Sequence, residues 1–303
     1  VPSPDTLLQG INRLRPGHLL SYNLTDNQSN QRPFVKSPFR KFSGSFTEAV
    51  DAYRDELSNA VQQQLISDVP VGVLLSAGID SAVIAALARE HSRDLTSHTV
   101  GFGSQHHECE ISDAAETATI LGIRHEATTV DPTTLIESLA DIVNTVEEPL
   151  GTTSIMPMWY LTQLAKKSAT VVLSGQGNDE PWGGYRRYQI ELLLQQLPFL
   201  KSSIFQKAEK LSALFKNDPI KRGLRCLGYK DDANRFGNAY ALFTPGELGL
   251  LGVDNEQPNT SINYWLNLLA HSESIEPTER MMRIDSRMNL ADDLLLYSDK
   301  VAM

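Results

Sequence analysis

Two stretches of this sequence gather hydroxyls, glycines and carboxylates at spacings suited to chemistry on phosphates. The first is "SAGIDSA", Ser76 to Ala82, which follows the apolar run "VGVLL". A turn of small residues running into a helix aims backbone N–H groups and the hydroxyls of Ser76 and Ser81 at one spot, forming an anion cradle at a helix N-terminus. It is not the Walker loop, because the sequence has no Gly-Lys pair to bring an ammonium to the β and γ phosphates. Asp80 lies inside the cradle, and a carboxylate beside phosphates makes sense mainly with a magnesium ion between them. The second stretch is "SGQGNDEPWGGYRRY", Ser174 to Tyr188, which follows "ATVVL" and offers Asp179 and Glu180. If the two strands are neighbours, Asp80 and Asp179 would clamp one Mg²⁺, while Gly175 and Gly177 let the backbone approach a nucleotide. Either loop alone also reads as a tight strand-to-helix turn with an acidic helix start. Their joint occurrence, each after a buried strand, points to a nucleotide-phosphate site.

Such loops need a sheet to position them. Short apolar runs at 71–75, 97–102, 125–130 and 169–173 alternate with helical patterns near 80–92, 110–121, 132–146 and 155–168. This alternation predicts an α/β domain, a doubly wound parallel sheet with crossover helices. Ser45 with Glu48 forms a capping-box signature, and Val50, Tyr53, Leu57, Val61 and Leu65 continue it as an amphipathic helix to about Ser67. Past Tyr185 the apolar patterns "IELLLQQL", "AEKLSALF", "ANRFGNAYALF", "INYWLNLLA" and the stretch 280–303 all read as helices, so a mainly helical region follows the sheet. Residues 1–44 are rich in Pro, Gly, Asn, Gln and Ser, and "RLRPGHLLSYNL" is the one strand-like segment there, with a boundary near Phe42 to Gly44.

The 303 residues are 41% hydrophobic and 21% charged, an ordinary globular composition. With Lys plus Arg at 27 against Asp plus Glu at 37, the formal charge is −10, which argues against a broad nucleic-acid footprint. No apolar run approaches the ~18 residues of a membrane span. Two cysteines, Cys109 and Cys226, are too few for a disulfide framework, and no signal-peptide pattern opens the sequence, so a cytoplasmic protein is expected. "HHECE" at 106–110 mixes metal-ligand types, but without a second cluster at zinc spacing it reads as a polar loop entering a helix.

"VPVGVLLSAGIDSA" resembles the pyrophosphate-binding loop of the N-type ATP pyrophosphatases. Together with "SHTVGF", "EEPLGTTS" and "SGQGNDEPWGGYRRY", it is similar to the synthetase domain of glutamine-dependent asparagine synthetases. The resemblance covers about residues 45–303, and "LLQGINRLRPGHLL" within residues 1–44 looks like the closing strands of the glutaminase domain that precedes it in that family. It implies an ATP-dependent ligase that activates L-aspartate as an acyl-adenylate, releases pyrophosphate and lets ammonia attack to give asparagine and AMP. Carried over by position, Ser76, Gly78, Asp80 and Ser81 would hold pyrophosphate, Asp80 and Asp179 the Mg²⁺, and Leu75, Val100, Ser174 and Gly175 the adenosine part of ATP. Gln176, Lys300 and Glu180 become the candidate catalytic residues. The resemblance also implies ammonia supplied from glutamine by a domain absent here, a sequence cut from a longer product, and a homodimer as one assembly to test. No nucleic-acid or membrane partner is expected.

The sequence departs from the family at named positions. Ala77 replaces the first loop glycine and is tolerable only at negative φ with its methyl turned from phosphate. Gln176 stands where many relatives carry an acid, so a general-base role does not transfer, although an amide can orient an incoming amine. Pro181 and Thr152 also differ, which leaves the acceptor open. A relative with another carboxylate acceptor, or a homologue that binds nucleotide without turnover, are the competing readings. Arg186 and Arg187 read equally as ligands for phosphate or carboxylate and as solvated surface. Asp292 and Asp293 read most simply as helix-start acids.

Overall fold

The computed structural model describes residues 2–34, 42–103, 110–148, 150–208, 215, 218–243, 245–252, 260–270 and 275–303. Within these the chain divides into two compact units, residues 3–176 with 292–303, and residues 177–291.

The first unit is the α/β one. Four parallel strands, β3 (Val71–Leu74), β4 (Thr96–Gly101), β5 (Arg124–Thr129) and β6 (Val171–Leu173), lie in the order β5-β4-β3-β6. Strand order therefore reverses at β3, and a crevice at such a switch point is where open α/β sheets bind ligands. Helix α2 (Ile79–His91) carries the chain from β3 to β4, and α3 (Ile111–Leu121) lies between β4 and β5. Val73 and Leu75 of the β3 segment pack with Ile84, Ala85 and Ala88 of α2 and with Ala114 and Ala118 of α3. The alanines on these faces allow close approach of helix to sheet. Helix α1 (Phe46–Gln64) begins at the expected capping box, with Ser45 accepting the Glu48 N–H and Glu48 Oε2 accepting the Ser45 N–H at 2.7 Å. Helices α4 (Pro132–Glu137), α5 (Leu139–Val146) and α6 (Ile155–Ala165) precede β6.

One feature departs from the sequence reading. The N-terminal segment is a hairpin, β1 (His18–Asn23) paired antiparallel with β2 (Gln28–Pro33), although β2 is polar and wholly exposed. No buried face gives "QSNQRP" an alternating pattern, so its pairing follows from the intervening turn, where Asn27 adopts φ 53°. The stretch 280–303 is broken ahead of "LLLY", where Asp292 and Asp293 read as helix-start acids, and both acids lie inside the break. A π-helical turn at Leu290–Leu294 separates the helix at Pro277–Arg287 from the last helix, Leu295–Ala302. That last helix returns to the first unit, where Tyr297 and Val301 pack with Ile142, Val146 and Ile155.

The second unit is helical, with α7 (Asp179–Trp182), α8 (Arg186–Gln196), α9 (Asp218–Cys226), α10 (Asp232–Tyr240), α11 (Pro245–Leu250), α12 (Thr260–Ala270) and α13 (Pro277–Arg287). Tyr188, Leu194, Phe236, Met281 and Ile284 form its buried centre. The expected helix "AEKLSALF" except Ala208 and Phe215, and the "HHECE" stretch except Glu110, lie outside the described residues. Among the described residues no helix is long and apolar enough to cross a membrane.

One buried titratable group sets an acid limit on the sheet. His98 of β4 has no exposed surface, and its Nε2 lies 2.8 Å from Ser168 Oγ and 3.5 Å from Glu126 Oε2. A side chain on Gly72 would come within 2.8 Å of that imidazole, so the glycine makes its room. Burial pushes the His98 pKa below its ordinary 6.5, with Glu126 opposing and His125 adding to the shift, and burial lowers His125 likewise. Below pH about 6.5 the unfolded chain then binds protons that the folded chain refuses, so stability present above that pH is lost as the pH falls. The urea midpoint should decrease from pH 7.5 to 5.5, and His98→Gln should make that slope shallower. An unchanged slope in the variant would remove His98 from this role.

Candidate active site

The site is built at the end of β3. After the ladder ends, the Leu75 N–H donates to the His98 carbonyl at 3.0 Å and the Thr99 hydroxyl donates to the Leu75 carbonyl at 2.5 Å, so β4 holds the strand end in place. The chain then turns through Ser76 and Ala77 into α2, whose N-cap is Gly78 at φ −79° and ψ 149°. Gly78 supplies no side-chain cap, so the N-terminus of α2 keeps its capacity for an external anion.

Hydroxyls shape the turn from inside. The Ser76 N–H donates to Ser81 Oγ at 3.0 Å, the two Oγ atoms lie 2.9 Å apart, and the Gly78 N–H donates to Ser76 Oγ at 3.1 Å. Ser76, Gly78 and Ser81 thus form one hydrogen-bonded loop. Ala77 is not among the residues with positive φ, as its methyl requires. Its N–H donates to Glu110 Oε2 at 3.2 Å, placing a carboxylate oxygen on a loop amide. Glu110 is 33 residues away, and no sequence signal pointed to this contact. Asp80 follows in the first turn of α2, and Val100 lies in the neighbouring β4.

The end of β6 meets the same turn. A Cβ on Gly175 would stand 2.6 Å from the Ser81 nitrogen and 2.7 Å from the Asp80 carbonyl carbon, both backbone atoms that cannot swing away. Only glycine fits. Gly175→Ala is expected to cost about 1–3 kcal/mol of stability, the usual range for overpacking. Urea denaturation would check this, and an alanine variant of unchanged stability would contradict this packing.

Gln176 is held at both ends of its amide. Its Nε2 donates to the Tyr297 hydroxyl at 2.7 Å, and its Oε1 accepts from Ser298 Oγ at 2.9 Å. Tyr297 is buried, and burial raises its pKa, so the phenol is protonated near neutral pH. Neither group is a base there, and the arrangement fixes an amide dipole. Lys300 Nζ pairs with Glu147 Oε2 at 2.5 Å and lines a groove of about 930 Å³ beside Thr170, Val171 and Val172. The residues of the cradle do not line that groove. Glu147 belongs to "EEPLGTTS", adopts φ 59°, and has its pKa lowered by Lys300. Asp292 is buried in the π turn, where it accepts from the Ser3 N–H at 2.8 Å and from the Ser3 hydroxyl.

In the second unit, Asp179 and Glu180 open α7, with Pro181 in the first turn, where a missing N–H costs nothing. A Cβ on Gly184 would overlap Asp179 Oδ1, so the chain folds closely over that carboxylate. Glu180 is fully buried, and its Oε1 accepts from the Tyr185 hydroxyl at 2.9 Å. Among the described residues no group of three or more His, Cys, Asp or Glu side chains is arranged to hold a metal ion. The cradle instead offers hard oxygen donors beside an anion-binding amide, which suits magnesium shared with phosphate oxygens rather than a protein cage.

A parallel α/β sheet with a hydroxyl-lined turn at its switch point defines a protein of the open-sheet class, whose ligands bind in the crevice beyond the strand ends. The Asparagine synthase family model matches residues 52–303, and the chain belongs to that family. It is 30% identical over 305 residues to "Asparagine synthetase [glutamine-hydrolyzing] 1" of Bacillus subtilis, covering 100% of this chain and 48% of the relative. It is 31% identical over 318 residues to "Putative asparagine synthetase [glutamine-hydrolyzing]" of Mycobacterium bovis, covering 100% and 47%. "Amidase chry2" of Gibberella zeae is 28% identical over 207 residues, covering 62% and 31%. The chain spans about half the length of the first two relatives.

Proposed function

We propose that this chain is the ATP-using part of an amide-forming ligase. The observation that carries the reading is the cradle itself, where the start of α2 has no side-chain cap and the Ala77 N–H just before it donates to a carboxylate oxygen. In the first step a substrate carboxylate oxygen attacks the α-phosphorus of ATP, the bond from that phosphorus to the bridging oxygen breaks, and pyrophosphate leaves. Ser76, Gly78 and Ser81 receive the charge that builds on the leaving group, and fixed donors of this kind need no reorganisation during reaction. Leu75, Val100, Ser174 and Gly175 hold the adenosine part. Magnesium, held by Asp80 with Asp179 as the second ligand expected from the sequence, would neutralise phosphate charge. In the second step ammonia attacks the acyl carbon, AMP departs, and the nitrogen loses a proton. Gln176, oriented by Tyr297 and Ser298, accepts from or donates to the incoming amine and acceptor, with Lys300 and Glu180 as further candidates.

L-Aspartate is the leading acceptor and asparagine the product, with ammonia drawn from glutamine by a separate glutaminase domain. A second reading keeps the adenylation and changes the acceptor. It is favoured by the neutral amide of Gln176, fixed where relatives carry an acid, and by the relative named as an amidase. Pyrophosphate and AMP release from MgATP, with ammonium present and with or without L-aspartate, tests the proposal. Aspartate-dependent release with asparagine formed supports the leading reading, and release that requires another carboxylate supports the second. MgATP binding without pyrophosphate release for any acceptor would overturn both.

A further inference from the structure

The helical unit contains a cavity of about 330 Å³ whose wall includes three arginines, Arg186, Arg187 and Arg222. The Arg187 guanidinium lies 3.9 Å from the Tyr185 ring centroid and 4.9 Å from that of Tyr240. Its Nε donates to Asp285 Oδ2 at 2.8 Å, but its Nη2 is buried and has no hydrogen-bond partner among the described residues. A buried N–H left without a partner is destabilising, and an oxygen ligand would relieve that cost.

Asp285 pairs with Arg187, while Asp179 and Glu180 both act on Tyr185, Glu180 through its hydroxyl. Glu191 is taken by Arg235 at 2.8 Å, and Glu247 lies 3.9 Å from Arg225. The rest of the wall is apolar, with Ile190, Ala239 and Cys226. Burial pushes the Cys226 thiol up to about 12, and its Sγ lies 3.1 Å from the Arg222 carbonyl, so it is a neutral surface rather than a nucleophile.

We propose that this cavity is an anion site belonging to the helical unit, which takes a small organic carboxylate. The carboxylate oxygens would sit on Arg187 Nη2 and the Arg222 fork, with the carbon body against Ile190, Cys226 and Ala239. Planar guanidinium groups recognise carboxylates in this bidentate way, and cavities of this size and lining bind small molecules. The site shares no residue with the ATP cradle, so it stands or falls separately from the ligase reading.

Calorimetric titration of the full chain with succinate and with acetate, in low-salt buffer, tests it. The expected result is saturable binding that Arg222→Gln weakens at least tenfold and Asp80→Asn leaves unchanged. L-Aspartate that displaces succinate would identify an amino-acid source, and failure to displace it would identify a carboxylate without an ammonium group. Absence of saturable heat from either probe, equal affinity in Arg222→Gln, or displacement by inorganic sulfate as strong as by succinate would overturn the proposal. If Arg222→Gln does not melt cooperatively, Arg222→Lys decides, with at least threefold weakening expected because lysine loses the fork and keeps the charge.

Discussion

Asp80→Asn is expected to lower pyrophosphate release from MgATP by a hundredfold or more while the thermal melt of the chain stays nearly unchanged. The two effects separate because Asp80 has different roles in folding and in the proposed chemistry. In the fold it is one acid in the first turn of α2, a placement worth about 0.3–1 kcal/mol through the helix dipole. The amide is nearly isosteric, and Ser76, Gly78 and Ser81 hold the turn through their own hydrogen bonds. In the reaction the same carboxylate is the proposed magnesium ligand beside the leaving group, and loss of one such stabilising group at a transition state costs about 10²–10³ in rate. Steady-state pyrophosphate assays with ammonium and the acceptor carboxylate, alongside a circular dichroism melt, would measure both. Full turnover in the variant would remove Asp80 from the metal site, whereas a collapsed melt would show that it holds the fold.

A comparably large effect, this time on stability, is expected at Arg235. Its side chain is 1% exposed and is surrounded by acceptors. Nε and Nη2 donate to Glu191 at 2.9 and 2.8 Å, Nη2 also to Asp232 at 2.5 Å, and Nη1 to the carbonyls of Lys230 and Tyr229 at 2.6 and 3.3 Å. Arg235→Ala would leave Glu191, itself 3% exposed, as an uncompensated buried charge, a change worth about 3–5 kcal/mol. Much of that figure belongs to the stranded carboxylate rather than to the pair. The double variant Arg235→Met with Glu191→Leu should therefore recover most of the loss, because apolar residues of similar volume need no counter-charge. Urea denaturation of both variants checks this, and a double variant no more stable than the single one would show that the carbonyl contacts dominate.

The parts of this molecule that were legible in its sequence share one property, in that the signal is local. The β3 and β6 segments are apolar runs leading into small-residue turns, and both emerge as neighbouring strands, ending at Leu74 and Leu173. Ser45 and Glu48 cap α1 because both partners lie within one helical turn. What escaped the sequence had no local pattern. Strand β2 is polar on both faces, and nothing in the apolar rhythm of 280–303 marks its break at Leu290–Leu294 as a π turn.

The candidate site divides in the same way. Sequence alone determined the composition of the cradle, a glycine-capped helix start with two serines and an aspartate after a buried strand, since strand, turn and helix signals all lie within a dozen residues. Only the tertiary structure decided what those residues face. It placed Glu110 on the Ala77 amide, pressed Gly175 against the backbone of Ser81, fixed Gln176 between Tyr297 and Ser298, and drew Arg187 from a surface-like pattern into a cage of tyrosines. These partners are separated by 33 to more than 120 residues, or by a turn of helix whose burial depends on its neighbours. Packing against distant elements sets such contacts, because periodicity records which face of an element is buried and not which residue it meets.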